Sequence, residues 1–382
     1  MMETLRVPYL TGKIREITGI FKKDIVFTAS LVLAVSSCFV AVPKLEYIDF
    51  RVLACLFNIM IVVKAFEELH LLDKLSVGIL NRCSNCRRVS LVLILMSFFL
   101  SMVFTNDVAL LTLVPLALLI GKKSGIDMTQ TVIFQTLAAN IGSSLTPMGN
   151  PQNLFLYSYY DLSISQFFSI VGAFAMLGLI WLLLLNSRSP AVKLQVSLER
   201  VELGDKRTAF IWGIVFLVIV LSVFRLIHYG IAFGAVVLCT GIINRKLLLK
   251  ADYRLLLTFV CFFIFIGNLS NIEVVREFMK GLVNSSDATY FGSILLSQVI
   301  SNVPCAILLS GFTSYWKELL LGVNIGGMGT IIASLASVIS YKFYSSENPK
   351  NAGKYIARFT LYNVFGLAMF TGLNYLLLRF AL

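Results

Sequence analysis

Long apolar stretches restrict what this chain can fold into more than any other feature. Hydrophobic residues make up 58% of its 382 residues, and charged residues only 14%. A soluble protein of this composition would expose large apolar patches, whereas about 20 consecutive apolar residues span a bilayer as a helix. We therefore predict an all-α polytopic membrane protein. The predicted spans are residues 24–42, 52–71, 131–157, 167–185, 208–227, 231–244, 254–272, 322–344 and 357–380.

The basic residues orient these spans and account for the net charge of +12. Most of the 32 lysines and arginines fall on one side of the membrane if the N-terminal segment, residues 1–23, is cytoplasmic. Cytoplasmic loops carry an excess of such residues. We therefore predict a multi-pass protein of the cell (inner) membrane, with its N-terminus cytoplasmic and its C-terminus outside. The charge then requires no nucleic-acid partner.

Two further apolar segments, 89–120 and 289–316, are interrupted by polar residues at their centres. Thr105-Asn106-Asp107 divides the first, and Ser301-Asn302-Val303-Pro304 divides the second. Basic pairs flank the first segment on both sides, so a single crossing helix would put one pair on the wrong face. We predict two re-entrant hairpins, the first entering from the cytoplasm and the second from outside. Two long helices with a polar kink are the alternative.

The two halves of the chain resemble each other. Thr105-Asn106 matches Ser301-Asn302, and Asn140-Ile141-Gly142 matches Asn324-Ile325-Gly326. The order of span, span, hairpin, broken span and span occurs twice. Each unit crosses the membrane four times, so an extra span between the units inverts the second one. Inverted repeats of this kind are the architecture of secondary transporters, in which the site lies at the repeat interface.

The repeat divides the chain into consecutive parts. After the cytoplasmic N-terminus, the predicted parts are repeat 1 (24–185), a cytoplasmic linker (186–207), a linking transmembrane helix (208–227) and repeat 2 (228–382).

Two predicted spans contain residues that a continuous helix tolerates poorly. Residues 138–153 hold two prolines, two glycines and three asparagines, and we predict that the helix of span 131–157 unwinds at 146–151. Residues 322–330 of span 322–344 are rich in glycine and are predicted to unwind in the same way. Close helix packing through the G-x-x-x-G of Gly322 and Gly326 is the alternative.

Hairpin tips and broken helices place helix ends at mid-membrane. Their N-terminal N–H groups suit an anion, and their C-terminal carbonyls suit Na⁺. The predicted coupling-ion residues are Thr105, Asn106, Asp107, Gly149, Asn150, Asn153, Ser301, Asn302, Asn324 and Gly326. The predicted substrate-binding residues are Thr105, Asn106, Asn150, Ser301, Asn302 and Thr330.

Three charged residues at membrane depth leave alternatives open. Asp107 could ligate Na⁺, carry a coupled proton, or cap the returning half-helix. Lys64 and Glu67 lie three residues apart on one helix face, which favours an ion pair. The alternative roles are a substrate contact by Lys64 and proton coupling by Glu67.

Three strings in this sequence resemble the citrate-transporter-like branch of the ion transporter superfamily. They are residues 104–110, 145–153 and 297–304. That branch includes citrate–metal symporters, arsenite permeases, NhaD-type sodium–proton antiporters and divalent anion–sodium symporters, and the closest resemblance is to YbiR-type inner-membrane proteins.

The resemblance implies a homodimer with scaffold and transport domains that moves as an elevator. In the dicarboxylate branch a Ser-Asn-Thr at each hairpin tip binds Na⁺ and a substrate carboxylate. Thr105-Asn106-Asp107 and Ser301-Asn302-Val303 stand in those places, so the asparagines match and the third positions differ.

The leading hypothesis is a secondary active transporter of a small organic or inorganic anion, di- or tricarboxylate-like, coupled to Na⁺ or H⁺. An Na⁺/H⁺ antiporter that uses Asp107 is the alternative, and a channel or a polytopic membrane enzyme are others. The sequence has no cluster of metal-binding side chains and no nucleophile with a base. Cys83 and Cys86 lack a second cysteine pair, so no cofactor is predicted.

Overall fold

The computed structural model describes residues 25–194 and 198–380, and within them it is helical, with no β-strand. The predicted cytoplasmic segment 1–23 lies outside the described residues. In chain order the α-helices are α1 (Ile25–Cys38), α2 (Phe50–Glu68), α3 (Leu71–Leu80), α4 (Cys86–Val103), α5 (Asn106–Ser124), α6 (Thr129–Ser143), α7 (Pro151–Tyr159), α8 (Ile164–Ser187), α9 (Lys206–Val223), α10 (Tyr229–Ile243), α11 (Tyr253–Ser270), α12 (Glu273–Leu282), α13 (Ser286–Ile300), α14 (Asn302–Ser310), α15 (Trp316–Gly326), α16 (Leu335–Glu347) and α17 (Ala352–Phe380).

The chain is a multi-pass membrane protein. Five apolar segments in the described part of the chain are long enough to cross a bilayer as helices, namely α4, α8, α9, α11 and the segment Pro349–Phe380 that contains α17. The shorter apolar helices α1 and α10 fall below that length. The predicted spans 131–157 and 322–344 each consist of two shorter helices, α6 with α7 and α15 with α16.

Equivalent helices begin with equivalent caps in the two halves of the chain. Asp49 accepts a hydrogen bond from the backbone N–H of Val52 at the start of α2, at 3.0 Å. Asp252 accepts one from Leu255 at the start of α11, at 3.1 Å. Such caps satisfy N–H groups that have no partner within the helix.

Two short helices, α3 and α12, follow membrane helices directly and were not predicted from the sequence. Both are ten residues long and amphipathic. In α12 the side chains of Val274, Phe278 and Leu282 form an exposed apolar edge, while charged residues occupy the opposite edge. Ten residues are too few to register as a span, so hydropathy alone passes over them.

Helices of the two halves pack on each other in equivalent pairs. Helix α1 packs on α11, and α10 packs on α2. Likewise α5 packs on α16, and α14 packs on α7. Within each half, α4 packs on α6 and α13 packs on α15. Each of these helices therefore has the same kind of neighbour as its counterpart in the other half.

The segment between α8 and α9 is held against the loop that precedes α4. Asn81 both donates to the carbonyl of Leu198, at 2.9 Å, and accepts from its N–H, at 2.8 Å. The N–H of Leu194 donates to the carbonyl of Ser84, and that of Cys86 to Val192. These bonds fix the linker across the entry to α4.

Candidate functional site

The first helix break lies between α6 and α7 and is closed by its own residues. Thr146 accepts a hydrogen bond from the N–H of Gly149, at 3.1 Å, and donates to the carbonyl of Met102 in α4. Pro147 and Pro151 occupy first-turn positions of the short 3₁₀ turn Pro147–Gly149 and of α7, where a missing N–H costs nothing.

Asn153 caps the end of α6 across this break. Its amide nitrogen lies 3.2 Å from the carbonyl oxygen of Ser143, 3.3 Å from that of Ser144 and 3.4 Å from that of Thr146. The carbonyls of Ser143 and Ser144 lack helical partners because α6 has ended. The side chain of Asn150 donates to the hydroxyl of Ser143, at 2.6 Å. Both asparagines are buried, so the first break is satisfied from within.

Asn140 joins the first hairpin tip to the second break. Its side-chain oxygen accepts from Asn106 at 3.1 Å and from the hydroxyl of Ser334 at 3.0 Å. Its amide nitrogen lies 3.3 Å from the hydroxyl of Ser337 and 3.4 Å from the carbonyl oxygen of Gly327. Asn106 and Ser334 stand at the starts of α5 and α16, so one buried amide connects two helix N-termini.

The second break differs from the sequence prediction in its position. Helix α15 continues to Gly326, and the break covers residues 327–334. A Cβ on Gly322 would lie 2.0 Å from the hydroxyl of Ser293, and one on Gly326 would lie 2.8 Å from Ser297. These two glycines therefore serve close packing of α15 on α13, as the alternative interpretation held. Consequently Gly326 and Asn324 are helical, and residues 322–326 do not unwind.

The second hairpin tip is bound to the second break. Ser301 has φ 74°, in the region that favours glycine, and its hydroxyl donates to the carbonyl of Ala333 at 3.2 Å. Asn302 begins α14 and is buried. The hydroxyl of Thr330 donates to the carbonyl of Gln298, at 3.1 Å. A strained backbone at a tip of this kind persists only when its surroundings hold it.

Asn324 makes another contact between the two halves. Its amide nitrogen donates to the side-chain oxygen of Asn153 at 2.7 Å and to the carbonyl of Leu320 at 2.8 Å. Its own side-chain oxygen is buried and has no hydrogen-bond partner among the described residues. By contrast, the oxygen of the equivalent Asn140 accepts two bonds. A buried acceptor without a donor is a position at which a cation or a ligand N–H or O–H would be stabilised.

Hydrogen bonds thus link the starts of α5, α7, α14 and α16 to one another through α6, α15 and the second break. Each helix N-terminus carries the partial positive charge of unpaired N–H groups. The connecting side chains are neutral amides and hydroxyls, and most are buried. The arrangement can bind an anion through N–H groups and a small cation through amide and carbonyl oxygens.

The sequence can be compared with those of known proteins. The sequence model of the citrate transporter family matches residues 16–313. The chain belongs to the citrate transporter family. An uncharacterized transporter of Methanocaldococcus jannaschii, MJ0456, is 32% identical over 77% of this chain and 81% of its own length. The inner membrane protein YbiR of Escherichia coli is 30% identical over 77% of this chain and 80% of its own. The family and the first of these relatives are named as transporters, which supports a role in membrane transport.

Among the charged residues, Asp107 lies closest in sequence to this network. It belongs to the first turn of α5, and its N–H donates to the side-chain oxygen of Asn106 at 2.9 Å. One of its carboxylate oxygens is buried and has no partner in the described part of the chain. The cap of α5 is Thr105, which accepts from the N–H of Val108 at 3.4 Å. The capping role suggested for Asp107 therefore belongs to Thr105, two residues earlier.

Lys64 and Glu67 form an ion pair with 2.7 Å between the ammonium nitrogen and a carboxylate oxygen. Both side chains are about a third exposed. Neither makes a described hydrogen bond to the network of asparagines. The structure thus contains the pair that the three-residue spacing indicates.

The cysteine pair in the loop before α4 offers little to a metal. Burial raises the pKa of the Cys83 thiol, which disfavours the thiolate that binds metals. Within residues 25–194 and 198–380, no group of three or more His, Cys, Asp or Glu side chains could hold a metal ion.

The sequence prediction omitted Asn140, Gln298, Ser334 and Ser337 from the site. The signal was available for three of them: Asn140 matches Asn324, and the same alignment places Ser334 opposite Asn150 and Ser337 opposite Asn153. Extending the repeat residue by residue across the second break would have included them.

Proposed function

We propose that this member of the citrate transporter family is a secondary active transporter of a small di- or tricarboxylate-like or inorganic anion. It is coupled to Na⁺ or H⁺. The observation that carries the proposal is the hydrogen-bonded network in which Asn106, Asn140 and Ser334 join the starts of α5 and α16. Helix N-termini directed to one neighbourhood attract an anion.

In this proposal the dipoles of the helix N-termini bind the anion. Each N-terminus contributes about half a positive charge. A co-bound Na⁺ would add a full charge and offset the desolvation of a second carboxylate. Coupling between anion and cation affinity then follows from their mutual attraction.

The mechanism we propose is alternating access between inverted repeats by an elevator movement. The exchanged packing supports it, since α5 packs on α16 while α14 packs on α7. A pseudo-two-fold axis in the membrane plane would relate the two halves in this way, because the counterparts of any two packed helices then pack on each other as well. Here α14 is the counterpart of α5, and α7 is the counterpart of α16. In this proposal segments 89–120 and 289–316 are re-entrant, the N-terminus is cytoplasmic, the C-terminus is outside, and the protein is a homodimer.

Uptake into proteoliposomes tests the proposal. Purified protein is reconstituted, and entry of radiolabelled citrate, succinate, sulfate or phosphate is measured with an inward Na⁺ gradient, an inward H⁺ gradient, or neither. We expect gradient-driven accumulation of one anion class. Absence of accumulation for every anion under both gradients would contradict the proposal.

A matched pair of asparagine variants separates site effects from stability effects. Asn106→Ala removes an amide that bonds to Asn140, whereas Asn374→Ala removes one whose described bond is within its own helix, to Phe370. We expect uptake to fall by about tenfold or more in the first variant, from the loss of a buried polar contact, and to persist in the second. Equal losses would place Asn106 outside the site.

The Na⁺/H⁺ antiporter remains the second candidate because one carboxylate oxygen of Asp107 is buried without a described partner. An ionisable group at membrane depth is costly unless it is used. The test uses liposomes loaded with a pH-sensitive dye, on which an Na⁺ gradient is imposed without any anion. An antiporter would change the internal pH under these conditions, and Asp107→Asn would abolish that change. An anion symporter would give no signal until its anion is added.

A further inference from the structure

Gln298 lies one turn before the second hairpin tip and ties that hairpin to the second helix break. Its amide nitrogen donates to the carbonyl of Gly326, the last residue of α15, at 2.8 Å. Its side-chain oxygen accepts from the N–H of Thr330, at 2.9 Å. One side chain thus bonds to residues on both sides of the turn 327–329.

The backbone around Gln298 completes the same attachment. Its carbonyl accepts from the hydroxyl of Thr330 at 3.1 Å. Gly329 has φ +100°, and a Cβ at that position would lie 2.3 Å from the side-chain oxygen of Gln298. The turn therefore closes directly over this side chain, and its positive φ favours glycine there.

In the first half the helix break is held without a residue of this kind. Met102 occupies the position equivalent to Gln298, and only its carbonyl takes part, by accepting from Thr146. There the carbonyls at the end of α6 are capped by Asn153 from α7 itself. The residue equivalent to Asn153 is Ser337, whose described bond is to Asn140. The second break therefore depends on the hairpin for the contacts that the first break makes internally.

We propose that Gln298 is a positioning residue that makes the second helix break follow the conformation of the second hairpin tip. The inference rests on the proposed function, because it assigns Gln298 the role of linking Ser301 and Asn302 to residues 327–334. A ligand that orders the tip would order the break through Gln298. In the first half the described side-chain link from break to hairpin is the hydroxyl of Thr146, which donates to the carbonyl of Met102, so tip and break would respond to ligand more independently.

The decisive variant is Gln298→Met, which gives the second half the residue of the first. Hydrogen–deuterium exchange of residues 327–334 is measured in detergent, with residues 144–150 as internal reference. Loss of the bond to the N–H of Thr330 should raise exchange in 327–334 by about tenfold. Exchange in 144–150 should stay unchanged. The reciprocal variant Met102→Gln should leave 327–334 as in the wild type.

The second measurement asks whether the link reaches the ligand. Citrate and Na⁺, each alone and together, are titrated while exchange at 327–334 is followed. In the wild type the ligand pair should lower exchange there, and in Gln298→Met the concentration required should rise by about fivefold. In transport the same variant should raise KM more than it lowers kcat, whereas a purely structural defect would reduce the amount of active protein and leave KM unchanged.

The outcomes separate this inference from the proposed function. Unchanged exchange at 327–334 in Gln298→Met overturns the inference. Raised exchange together with unaltered ligand dependence also overturns it, because the turn would then be held by Gln298 but not coupled to the tip. If the wild type transports none of the anions, yet ligand-induced protection at 327–334 depends on Gln298, the inference stands and the transport proposal fails.

Discussion

The two helix breaks do the same geometric task by different means. The first, between α6 and α7, is fixed by prolines and by the amide of Asn153, all belonging to the broken helix itself. The second, between α15 and α16, has neither, and is held by Gln298 and Ser301 of the neighbouring hairpin. Two regions that match in sequence order can therefore differ in what keeps them in place. The first break should be rigid by itself, and the second only while the hairpin holds it.

The largest difference in stability between the two breaks is expected when the glycine of each turn is replaced by alanine. A Cβ at Gly149 would lie 2.2 Å from the backbone carbonyl oxygen of Ser143, which cannot move aside. Gly149→Ala should therefore lower the free energy of unfolding by about 3 kcal/mol. Gly329→Ala meets the flexible end of Gln298 and is disfavoured mainly by its positive φ, so it should cost about 1–2 kcal/mol.

Denaturant titration in detergent micelles measures both costs. Gly172→Ala in α8 is the control, because nothing lies within 4 Å of a Cβ at that position. If Gly329→Ala proved the more destabilising of the two, the contrast between a rigid first break and an adaptable second one would be wrong.

Replacing the capping residue of each break should give the next largest difference in stability. Asn153→Ala leaves the carbonyls of Ser143 and Ser144 at the end of α6 and the amide of Asn324 without this partner, and should cost about 2–3 kcal/mol. Ser337→Ala, at the equivalent position, loses one described contact, with Asn140, and should cost about 1 kcal/mol. Thermal unfolding followed by intrinsic fluorescence ranks the two variants. Equal melting temperatures would remove Asn153 as the residue that holds the first break.

The smallest effect is expected for the two threonines that join breaks to hairpins. Thr146 makes two hydrogen bonds with its hydroxyl and Thr330 makes one. Thr146→Val should cost about 1–2 kcal/mol and Thr330→Val at most about 1 kcal/mol, because the N–H of Thr330 still bonds to Gln298. The same titration measures both. A greater cost for Thr330→Val would show that the hydroxyl, rather than Gln298, fixes the second break.

Much of the local architecture could be predicted from the sequence, because prolines, glycines and asparagines within apolar stretches have direct consequences for the backbone. The first break covers residues 144–150 and so largely coincides with the predicted 146–151. The second break was placed too early, because glycines that permit unwinding also permit close packing, and only the position of Ser293 and Ser297 decides between them. The membership in the citrate transporter family followed from motifs at the tips and at the first break.

The connections across the two halves could not be predicted. Asn140 and Ser337 are 197 residues apart, and the sequence around either residue does not indicate that the two are in contact. The same holds for Asn153 and Asn324. Gln298 was overlooked because a glutamine one turn before a tip carries no distinctive signal in a single sequence. Its importance appears only when Met102 is placed opposite it in the repeat.

The linker between α8 and α9 has a consequence for how the protein is made. Asn81 is synthesised 117 residues before Leu198, the residue that satisfies both ends of its side-chain amide. Until the ribosome has added the linker, the loop before α4 has exposed backbone groups and no cover. The first half therefore cannot complete its fold without the linker. A truncated chain that ends after α8 should be recognised by quality-control proteases. Two fragments expressed together should reassemble when the chain is divided after the linker, and should fail to do so when it is divided before it.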